Sequence, residues 1–207
     1  MPRSRRRSPV TAFWLGAAIT LVSCGGSSTP ASSTTQSLRP VSPVELLNRV
    51  ALDGDLCVLL APIEEEEGKL SGTTAHGGQT FYARVNGVNN GSNVHVSIDR
   101  FPNGATAQAA ATKATPGIAT MLGAGTKEGP PLPRWPGSVT FTRKVIDYTG
   151  QQRDAFGAVV TAGHDVVRIN SLGLPQITST AQFRTLAARL LDGFTGTTGV
   201  RSIPSCS

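Results

Sequence analysis

The chain has 207 residues, of which 39% are hydrophobic and 15% charged, with 23 glycines and 14 prolines. That is enough apolar material for one packed domain with many turns, and it excludes bulk disorder. The formal charge of +6 invites a nucleic-acid reading, but Arg3, Arg5, Arg6 and Arg7 supply four of those charges and no acid precedes residue 24, so the rest carries an ordinary +2. It has no basic stripe with interleaved aromatics, which excludes nucleic acid as the expected partner.

The N-terminus reads as an address. Residues 1–9 hold the four arginines, and Val10 to Val22 are thirteen residues without a charge. A basic stretch followed by a short apolar run describes an export signal. Thirteen helical residues span about 20 Å, short of the roughly 30 Å hydrocarbon core. The run ends in Leu21-Val22-Ser23-Cys24. This quartet resembles the bacterial lipobox. The resemblance implies a diacylglyceryl group on the Cys24 thiol and cleavage just before it. It implies a mature chain held on the extracytoplasmic face of the cell membrane, with the acyl chains on Cys24 as its membrane contact. Two such chains hold a protein stably where one does not. Ser4 to Pro9 is similar to a twin-arginine signal without the hydrophobic residues behind the pair. Both that route and the general secretory route stay open.

Residues 1–23 are thus expected to be a signal peptide, 24–41 a lipidated cysteine and tether, and 42–207 one domain. Gly25 to Val41 is rich in Gly, Ser, Thr and Pro and cannot bury enough surface to fold. Its composition is also that of O-glycosylated stalks.

Ser42-Pro43-Val44-Glu45 is a capping box, and Leu46, Leu47 and Val50 supply the stripe of a short helix. Four glutamates, Glu64 to Glu67, follow Pro62 and read as a solvated face, because consecutive helical residues point in different directions. Phe81 to Val85 and Val94 to Asp99 alternate with period two across a Gly/Asn-rich connection, which predicts a hairpin. Ala105 to Ala114 predicts a helix that Pro116-Gly117 ends or kinks, with Met121-Leu122 as its continuation past a kink. Gly123 to Pro136, carrying Trp135, reads as a long loop. Three strands follow, at Val139 to Ile146, Asp154 to Thr161 and Asp165 to Asn170. A second capping box, Ser179 to Gln182, opens a last helix whose stripe is Phe183, Leu186, Ala187, Leu190 and Phe194.

The order helix, two strands, helix, three strands, helix predicts an α+β fold. Its expected form is an antiparallel sheet of about five strands with helices packed on one face. This order resembles the PsbP/Mog-like fold found in actinobacterial lipoproteins. Cys57-Val58-Leu59-Leu60 behind a lipobox and a Ser/Thr tether is similar to the start of mycobacterial-type lipoprotein domains, a group mostly without assigned activity.

With Cys24 acylated, Cys57 and Cys206 remain of three cysteines. Export places them where pairs oxidise, so a disulfide between them is expected. It would pin the tail from Gly196 to Ser207.

No catalytic motif stands out. His76 falls in a Gly/Thr loop, His95 on the outward face of a strand and His164 in a hairpin turn. They show no metal-ligand spacing, and no nucleophile elbow, Ser-x-x-Lys or phosphate-binding loop occurs, so neither metal nor cofactor is expected. Two readings stay open. One is a tethered binding module whose ligand is a lipid, a glycan or a protein, with Met121, Trp135 and Phe141 around the long loop as candidate ligand-binding residues. The other is an envelope hydrolase whose site assembles only on folding, detectable as a histidine within reach of Ser or Asp in a cleft.

Overall fold

The computed structural model describes residues 37–48, 56–57, 68–85, 88–146, 150–174 and 177–196. The signal segment, most of the tether, the Glu64–Glu67 run, Cys24 and Cys206 lie outside the described residues.

In chain order the elements are α1 (Pro43–Leu47), β1 (Leu56–Cys57), β2 (Ala75–Val85), β3 (Val88–Arg100), α2 (Gly104–Leu122), β4 (Lys127–Gly129), β5 (Val139–Ile146), β6 (Gln152–Ala162), β7 (Asp165–Leu172) and α3 (Thr180–Thr195). The strands form one antiparallel sheet in the order β1-β2-β3-β7-β6-β5-β4. The five long strands are those the alternation predicts, and β5 keeps its predicted ends. The two added strands, β1 and β4, have only two and three residues, too short to show a period.

The helices start where their caps stand. The Ser42 hydroxyl accepts from Glu45 N at 3.1 Å, with Pro43 in the first turn. Asn103 Oδ1 accepts from Thr106 N at 2.9 Å. The Ser179 hydroxyl accepts from Gln182 N, while Gln182 Oε1 reaches back one residue further than a standard box, to Thr178 N at 2.9 Å. Pro116 does not end the helix: α2 runs through it to Leu122, the continuation that Met121-Leu122 allows. Proline removes one backbone bond, but Ile118 and Leu122 beyond it are buried against the sheet and hold the last turn.

Helices on one face is also corrected, because both faces are covered. α1 and α3 lie on one side, over Phe81, Val94, Val96, Ile98, Phe156, Ala158, Val160, Val167 and Ile169. There Phe183 of α3 stacks on Phe156 of β6 with ring centroids 5.2 Å apart. On the other side α2 packs Ala107, Ala111, Ile118 and Leu122 against Phe141, Ala155, Val159 and Val166. The sequence carried the sign of this. Alternation at Phe156, Ala158 and Val160 draws the eye, yet Ala155 and Val159 at the alternate positions are apolar too, the mark of a strand buried on both faces.

Two glycines set the layer spacings. A Cβ on Gly77 would stand 2.9 Å from Val44 N, so α1 rests directly on β2. A Cβ on Gly157 would stand 2.9 Å from Ile118 Cγ2 and 3.2 Å from Leu122 Cδ1. Gly157→Val should therefore lift the end of α2 and cost about 1–3 kcal/mol, the usual penalty of overpacking. Urea titration checks this, and an unchanged midpoint would mean that α2 yields without cost.

The chain is seated before its first helix. Leu38 is buried, Arg39 N donates to Phe194 O at 3.2 Å, and Arg100 donates to the carbonyls of Val41 and Arg39 while pairing with Asp165 at 2.8 Å.

Candidate functional site

The α2-side face divides in two. Its β5–β6 half is apolar under α2. Across β2, β3 and β7 the register sets polar residues side by side. One row is His76, Asp99 and Val166. The next is Gly78, Ser97 and Arg168. Then come Thr80, His95 and Asn170, and last Tyr82, Asn93 and Leu172. Directly paired residues of an antiparallel sheet share a face, so these rows form one continuous surface. Each polar residue alternates with a buried apolar one, such as Phe81, Val94, Val96 or Ile169. α2 packs chiefly on β6, then β7 and β5, and leaves this half to its polar side chains.

At the head of the surface lies a buried ionic network. Asp99 has no exposed surface. Its Oδ1 accepts from His76 Nδ1 at 2.8 Å and from Leu70 N at 3.1 Å, with the Thr73 hydroxyl 3.3 Å away. Its Oδ2 accepts from Arg168 Nη2 at 2.8 Å, and the same nitrogen donates to Gly68 O at 2.6 Å. A carboxylate partner fixes the His76 tautomer with its proton on Nδ1. Each charge here is taken from water and has its partner, the condition for burying it at all.

Further down the surface, the Thr80 hydroxyl is 3.0 Å from His95 Nδ1. Arg168 Nε and Asn170 Oδ1 beside it are buried with no hydrogen-bond partner in the protein, a condition that Trp135 Nε1 and Ser171 Oγ share elsewhere in the fold. Such atoms cost stability, about 1–3 kcal/mol each, and in folded proteins they are few.

No family model matches the chain, and no curated protein sequence matches it. Among solved structures it is similar to the extracellular domain of PknH from Mycobacterium tuberculosis, with 17% identity and a TM-score of 0.40 over 69% of this chain and 79% of that chain.

The candidate ligand residues Met121, Trp135 and Phe141 are not brought together. Trp135 is buried with Leu132 in the core on the α1 and α3 side, whereas Phe141 is buried on the α2 side and Met121 is exposed. The long loop is not free, either. The Ser138 hydroxyl accepts from Leu132 N at 2.7 Å and donates to Trp135 O at 2.6 Å, and Lys127–Gly129 pairs with β5.

His76 does not sit in a loop; it is a buried residue near the start of β2. Its setting, Thr-Thr-Ala-His-Gly-Gly, hid it, because two glycines after a histidine read as a turn. His164 occupies an exposed turn, as expected. Cys57, on edge strand β1, is buried and disulfide-bonded, and its partner lies outside the described residues. It pairs in register with Tyr82, and its sulfur is 3.6 Å from Tyr82 O. Among the described residues no helix is long and apolar enough to cross a membrane, and no three His, Cys, Asp or Glu groups are placed to hold a metal ion.

A dent of about 410 Å³ at the C-terminal end of α2 is lined by Ala119, Thr120 and Gly123–Thr126. Two of its carbonyls are occupied: Ala119 O accepts from Gly123 N at 3.0 Å and Gly123 O from Thr126 Oγ1 at 2.6 Å.

Proposed function

We propose that the chain is a lipid-anchored module of the cell envelope that binds a ligand on the polar half of its sheet and performs no chemistry on it. The observation that carries the binding part is the run of polar residues Thr80, His95, Asn170 and Asn93 set side by side across β2, β3 and β7, on a face that is apolar under α2.

The hydrolase reading has one supporting feature, His76 oriented by Asp99. Against it stands the saturation of that carboxylate and the burial of the ring. Among the described residues no hydroxyl or thiol hydrogen-bonds His76 Nε2, so the nucleophile of an acid–base pair is missing. The arrangement is that of a structural pin.

The anchor part rests on the lipobox-like quartet ending at Cys24. Cys24→Ala should abolish labelling by a radioactive or clickable fatty acid and leave the signal uncut. A variant that still partitions into detergent at the wild-type mature mass would refute the anchor. For the binding part, the detergent-extracted chain from its own host should carry a co-purifying small molecule or partner in native mass spectrometry. Asn170→Ala should lose it, while a species carried equally by both would place binding elsewhere.

A further inference from the structure

We draw no further inference here: the strongest candidate, the end of the sheet where Met121 of α2, Ile146 of β5 and Leu172 of β7 stand exposed, is an apolar surface patch, and nothing in the structure shows what covers it.

Discussion

Replacing Asp99 with alanine should lower the stability of the domain by about 3–5 kcal/mol, the usual effect of removing one partner from a buried ion pair. Besides the Thr73 hydroxyl, three groups lose an acceptor at once. Arg168 keeps a charge in a site from which water is largely excluded, with only Gly68 O left to it. His76 loses the partner that orients it, and Leu70 N loses its hydrogen bond. In a domain of this size a change of that order lowers the melting temperature by roughly 6–20 °C. The double variant Asp99→Leu with Arg168→Leu should be less damaging than the two single effects added, because no uncompensated charge remains, with a coupling of about 0.5–3 kcal/mol. Thermal and urea denaturation of the four proteins provide the cycle. If Asp99→Ala melts with the wild type, the network does not hold the face together and the His76–Asp99 contact must be given another role.

This network also marks the limit of what the sequence shows. Features set by neighbours along the chain are legible. Ser42 and Ser179 announce their helices, the alternation in Val139 to Ile146 gives a strand with its observed ends, and the Phe183 to Phe194 stripe gives the packed face of α3. Features set by partners distant in sequence are not. Asp99 and Arg168 lie 69 positions apart, and only the β3–β7 register makes them neighbours. A polar residue alternating with core residues looks the same whether it meets water or a ligand. Thr80, His95 and Ser97 therefore read as an ordinary outward face until Arg168 and Asn170 arrive beside them. Trp135 shows the converse. In sequence it is an aromatic in a Gly/Pro loop, the pattern of a recognition loop. In the fold it is a core residue, because Ser138 ties the loop back and turns the indole inward. β1 and β4 fall below the length at which any periodicity exists, and their place in the sheet comes from β2 and β5.

The second large effect concerns the cysteines. Cys57 is disulfide-bonded, and the chain has only Cys24 and Cys206 to offer it. A thioether at Cys24 would remove that candidate, so acylation of Cys24 leaves Cys206 as the partner within the chain. The two positions are 149 residues apart. For a loop of that length the chain-entropy description gives up to about 5 kcal/mol. Cys57→Ser and Cys206→Ser should then lower stability by the same amount, reduction of the wild type should match them, and Cys24→Ala should leave it unchanged. The loss should be felt first at the polar face. β1 holds to β2 through two ladder pairs, Leu56 with Ala83 and Cys57 with Tyr82, and a strand that short stays in place only when tied. Without the bridge, β1 should fray, the β2 edge should open and Tyr82 should lose its neighbour, so amide exchange should quicken at Tyr82 and Ala83 before it does in β6. Thiol titration decides between the cysteines: the unreduced mature protein should show no free thiol, and Cys206→Ser should show one, at Cys57. If Cys24→Ala is the variant that frees Cys57, the bridge runs to the N-terminal segment and the lipid anchor fails with it.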